Sequence, residues 1–135
     1  MDTARPFGMS PNVLRLPNDA TSVRLAREFV METIQGWGQH AVADIRLPTS
    51  EIVTNAVLYT DSRIELRVRR LDGRARVEVH DADPGAAELQ THPPGRVGGL
   101  GLRLVEMMAS SWGVMSIEDD GKIVWFDMEL RPDPS

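Results

Sequence analysis

Cysteine is absent from this 135-residue chain. That absence excludes disulfides, thiolate zinc sites and cysteine nucleophiles, and it suits a reducing cytoplasm. No apolar run approaches the length that crosses a bilayer. The N-terminus lacks the apolar segment of a secretory signal. The expectation is a cytoplasmic protein with no membrane partner. A basic surplus is missing too. The net charge is -5, which argues against nucleic acid as a direct ligand, because cations are needed to neutralise its phosphates. The arginines that do cluster, Arg63, Arg67, Arg69, Arg70, Arg74 and Arg76, fall on two adjacent segments and read best as a solvated sheet face. His40, His80 and His92 show no metal-ligand spacing, and neither G-x-S-x-G nor H-E-x-x-H occurs. Gly121-Lys122 is not a Walker A loop, since no glycine stands five residues before Gly121.

What is present is ordinary for one globular domain. Hydrophobic residues make up 41% and charged residues 26%, enough apolar side chain to build a core at this length. Residues 1–11 have no period and read as a flexible arm, residues 12–131 as the domain, and residues 132–135 as a tail.

Val13, Leu14 and Leu16 predict a short strand ended by Pro17. Asn18 is a suitable helix N-cap, with Asp19 in the first turn. Val23, Ala26, Val30, Ile34 and Trp37 recur at helical spacing up to Gly36 and Gly38. A second helix is expected from about Gln39 to Tyr59, with Ile45, Ile52 and Ala56 inward and a kink or split at Pro48. Ile64, Leu66 and Val68, then Val77 and Val79, alternate with polar residues on either side of Asp72-Gly73, a tight-hairpin signal. Residues 82–98 are rich in proline and glycine and have no period, and a loop of that length is functional or disordered. A third helix is expected near Gly99, carrying Leu104, Val105, Met108 and Trp112, with Trp112 and the methionines in the core. Val124, Phe126, Met128 and Leu130 form a last strand, followed by a tail from Arg131. The implied fold is an α/β (α+β) two-layer sandwich, with a mixed, mostly antiparallel sheet and helices on one face.

Glu51 and Asn55 are the most informative pair. Their spacing of four puts both on one helical face. One side chain can accept a proton, and the amide oxygen of the other can ligand a hard cation, a pairing suited to magnesium–phosphate chemistry. Asp81 ends the second hairpin strand. A carboxylate there can accept a hydrogen bond from an exocyclic amino group or simply initiate a turn. Gly98-Gly99-Leu100-Gly101-Leu102 precedes a helix, where glycines let backbone approach a phosphate.

These segments, in this order, resemble a family. Glu51-Ile-Val-Thr-Asn55-Ala-Val resembles the N box of the GHKL (Bergerat-fold) ATPases. Val79-His80-Asp81-Ala82-Asp83-Pro84-Gly85 resembles their G1 box, and Gly98 to Val105 their G2 box. Gly121-Lys122-Ile123-Val124-Trp125-Phe126 resembles the closing strand of the small bacterial members. The resemblance spans roughly residues 12–131. Within the family the chain is similar to stand-alone anti-sigma-factor serine-protein kinases and to short actinobacterial regulatory ATP-binding proteins.

The resemblance implies ATP and Mg²⁺ as cofactors. It makes Asn55 the Mg²⁺ ligand, Asp81 the reader of the adenine amino group, and Glu51 the general base. Gly85, Gly99, Leu100, Gly101 and Leu102 would contact the nucleotide, under a lid of residues 84–98. The implied partners are a sigma factor, a STAS-type anti-sigma antagonist phosphorylated on serine, and a second copy in a homodimer. A second reading keeps the nucleotide and makes the chain a regulatory module that acts by binding alone.

Overall fold

A computed structural model describes residues 11–82, 102–117 and 121–134 of the chain. β1 (Asn12–Leu16) leads into α1 (Thr21–Gly36), followed by β2 (Gln39–Ala41) and α2 (Arg46–Tyr59). A hairpin of β3 (Ile64–Leu71) and β4 (Arg74–Asp81) comes next, then α3 (Arg103–Met108), β5 (Ser111–Ser116) and β6 (Lys122–Pro132). The sheet runs β1-β3-β4-β6, and every strand pairing among the described residues is antiparallel. β4 takes one edge of β6. β5 and β2 lie end to end along the other, since the carbonyls of Asp127 and Glu129 face Ser110 and Val42 while Leu130 N–H faces Gly73.

The strand period of two sets what the sheet buries. Leu66 pairs with Val79, Val68 with Val77 and Val77 with Phe126, and all are essentially inaccessible on the helix side. Ala26, Val30 and Ile34 of α1, with Ile52, Val53 and Ala56 of α2, close over this floor. Burying each large aliphatic side chain contributes about 1.5–3 kcal/mol. The β3–β4 turn is the two-residue loop expected from Asp72-Gly73, with Gly73 at φ 71°.

The opposite face carries most of the arginines, whereas Arg70 lies on the helix side, over the Trp37 ring. Arg69 donates to Glu78 at 2.8 Å, and Arg67 to Glu65 at 2.8 Å. Arg76 forks onto Asp127 at 2.7 and 3.0 Å and lies 4.2 Å from the centre of the Trp125 ring. Trp125 in turn covers Gly113, where a Cβ would come within 2.9 Å of the ring. The basic cluster is thus largely neutralised in place, as a sheet face rather than a cationic patch.

Several expectations are corrected. Asn18 does not cap α1. The capping position is Ala20, without a side-chain bond, and Asp19 Oδ1 accepts the Thr21 N–H at 2.9 Å instead. The stretch expected to be one helix from Gln39 to Tyr59 begins as a strand, because residues 39–41 pair with residues 130–132 of β6. Pro48 neither kinks nor splits α2. It sits in the first turn, where a helix has no acceptor for its N–H, so proline marks the start rather than a break. Trp112 lies on β5 opposite Phe126 rather than on the third helix. Met107 and Met115 are exposed, not core, although Met128 is buried. The tail expected from Arg131 remains strand as far as Pro132, held by β2.

Candidate functional site

α2 presents Asn55 and Glu51 one turn apart, on a helix that packs against β4, β6 and α3. Asn55 is 9% exposed, and its Nδ2 has no hydrogen-bond partner among the described residues. Turning the amide over would put its oxygen in the same unsatisfied position, since the two atoms are assigned by their partners. A buried amide without a partner costs stability and marks a place where an acceptor or cation is missing. Glu51 is half-buried, and burial pushes its carboxyl above the ordinary 4.5. That is the direction a proton acceptor needs, toward the operating pH.

The second part of the site is the end of the β4–β6 pair. Counting inward positions back from Val79 and Val124 puts Asp81 and Lys122 on the core face, directly opposite each other. Their side chains are 1% and 3% exposed, and Lys122 Nζ donates to Asp81 Oδ2 at 3.0 Å. Gly121 fixes this end. Its φ is +94°, and a Cβ there would overlap the Asp81 carbonyl oxygen and lie 2.8 Å from the Ala82 Cα. The two backbones touch, so this end of the β4–β6 pair has room only for glycine.

A polar network ties this strand end to the end of α2. Asn18 Nδ2 donates to the carbonyls of Thr60 and Ser62 at 2.7 and 2.8 Å. The Thr60 and Ser62 hydroxyls are 3.0 Å apart, and Ser62 Oγ accepts the Ala82 N–H at 3.0 Å. The residue expected to cap a helix therefore braces the loop that follows α2, and through Ser62 it holds the residue next to Asp81.

Of the residues expected at a site, Glu51, Asn55 and Asp81 lie on these two packed elements. Gly85, Gly99, Leu100 and Gly101 lie outside the described residues, as does the expected lid. Leu102 is 1% exposed in the core, and its carbonyl accepts the Glu106 N–H at 2.9 Å. Only its backbone is left for a ligand. Lys122 stands in the closing-strand motif but was given no role there, although the alternation through Val124, Phe126 and Met128 extends to it and places it on the core face.

The residues fit a nucleotide carrying a hard cation better than a bare metal. Among the described residues no group of three His, Cys, Asp or Glu side chains could hold a metal ion. Mg²⁺ commonly needs only one or two protein ligands when phosphates supply others, and the unpartnered Asn55 amide offers one. Among the described residues, no helix is long and apolar enough to cross a membrane.

Comparison with curated proteins returns no match. The sequence profile of the histidine kinase-like ATPase domain matches residues 16–128, from the last residue of β1 into β6. That span takes in α2 and the Asp81–Lys122 strand ends, and it covers most of the chain. With the α+β sandwich described above, it establishes that the chain belongs to the histidine kinase-like, GHKL-type ATPase family.

Proposed function

We propose that this protein is an ATP-binding regulatory kinase that transfers a phosphoryl group to a serine on a partner, an anti-sigma antagonist, and also holds a sigma factor. The carrying observation is the α2 pair: a buried Asn55 amide with an unpartnered atom, one turn from a Glu51 carboxyl raised by burial. Family membership implies the ATP. The sigma factor, its antagonist and a homodimer follow from the resemblance to anti-sigma serine kinases.

In this reading Asn55 would hold Mg²⁺, which would offset the negative charge of the ATP phosphates. Asp81 accepts a hydrogen bond from the adenine amino group. Glu51 takes the proton from the serine hydroxyl as its oxygen attacks the γ-phosphorus. The bond from that phosphorus to the bridging oxygen breaks, and ADP leaves. Such transfer is mostly positioning and charge stabilisation, so one carboxylate on a rigid helix suffices.

A second reading, a module that binds nucleotide and partners without transfer, draws on Glu51 itself. Among the described residues nothing donates a hydrogen bond to its carboxylate to orient it as a base. One experiment separates the two. The purified chain is incubated with γ-labelled ATP, Mg²⁺ and an antagonist carrying the acceptor serine. The kinase labels the serine, and Glu51→Gln binds Mg-ATP but labels nothing. A wild-type chain that binds Mg-ATP and leaves the antagonist unlabelled decides for the binding module.

A further inference from the structure

We propose that Lys122 reads the nucleotide base together with Asp81, donating to the ring nitrogen beside the exocyclic amino group. This deepens, and rests on, the adenine-reading role given to Asp81 above.

Lys122 opens β6 on the core face, with its side chain 3% exposed. An ammonium carries three N–H donors. One meets Asp81 Oδ2 at 3.0 Å, and among the described residues no other acceptor meets Lys122. Buried, incompletely satisfied charge is costly, and an apolar side chain would fit the position with less penalty. The neighbouring inward rows, Val79 opposite Val124 and Val77 opposite Phe126, are apolar. Gly121 lies against the Asp81–Ala82 backbone, so the two strand ends are already packed as closely as they can be. The Ala82 N–H is already taken by Ser62, so the backbone there offers no competing donor.

What the ammonium lacks is an acceptor, and adenine supplies one in the right order. Its edge places a donor, the amino group, next to an acceptor, the adjacent ring nitrogen. Asp81 and Lys122 present the complementary order, acceptor next to donor, on two strands locked in register. Lys122 thus becomes a specificity-determining residue, able to reward the ring nitrogen that a lone carboxylate ignores.

The test uses the whole chain and two nucleotides with Mg²⁺: ATP, and 1-deaza-ATP, which has CH in place of that ring nitrogen. Calorimetric titration is expected to show 1-deaza-ATP binding about tenfold or more weakly than ATP, the loss of a charge-assisted hydrogen bond. In Lys122→Met, with folding checked by circular dichroism, the two nucleotides should bind alike. Equal wild-type affinities would overturn the role of Lys122 and leave ATP binding intact, whereas binding of neither would overturn both. Should Lys122→Met fail to fold, the wild-type comparison decides alone.

Discussion

Asn55→Ala should separate binding from stability. The parent side chain holds a buried Nδ2 with no partner among the described residues, a desolvation cost of about 1–3 kcal/mol that alanine removes. Against this stands the packing lost with three heavy atoms, about 2 kcal/mol at the low end of buried truncations. The two nearly cancel, so unfolding free energy should change by no more than about 1 kcal/mol, and Tm by less than about 6 °C. Ile52, three residues away and fully buried, is the control. Ile52→Ala has no compensating gain and should lose about 2–5 kcal/mol. Binding should follow the opposite order. Asn55→Ala removes the cation-holding amide, and Mg-ATP affinity should fall at least about tenfold. Urea denaturation reads the first effect and calorimetric titration the second. An Asn55→Ala variant that binds Mg-ATP like the parent, or that unfolds as readily as Ile52→Ala, would refute the role given to Asn55.

Gly121→Ala should cost about 2 kcal/mol or more, because it demands both a left-handed φ and space filled by the Asp81 carbonyl. An unchanged urea midpoint would contradict this. Glu78 gives the acid limb of stability. Burial pushes its carboxyl up, but hydrogen bonds from His80 and Arg69 outweigh that and hold it below the ordinary 4.5. A depressed carboxyl contributes stability above its unfolded value and loses it as pH falls through the folded one. Wild type should therefore weaken on acidification below 4.5, and Glu78→Gln should weaken less steeply. Parallel stability curves for the two would refute the assignment.

The parts legible in the sequence were those governed by short periods. Val77, Val79 and the Asp72-Gly73 turn fixed the hairpin, and Ala26, Val30 and Ile34 fixed α1, because one face of each had to be buried. The Glu51–Asn55 pair was readable for the same reason, as helical spacing alone places both on α2. What escaped depends on distant partners. Residues 39–41 become a strand only because residues 130–132 arrive beside them. Asn18 has the chemistry of a cap, but two carbonyls more than forty residues away claim its amide. Pro48 was weighed as a breaker of a helix that begins only two residues before it. Lys122 was quoted in the closing strand and in a failed phosphate-loop comparison but given no role, although alternation along β6 gives its side.

β6 carries a consequence for the order of assembly. It lies between β4 on one edge and β5 and β2 on the other, yet it follows all of them in sequence. During synthesis α1, α2 and the β3–β4 hairpin emerge first, with Phe126 and Met128 still missing from the floor beneath them. Pairing Gln39 with Pro132 closes a loop of more than ninety residues, an entropic cost met only near the end. Folding should therefore be completed in one late step, and the Asp81–Lys122 junction is among the last features to form.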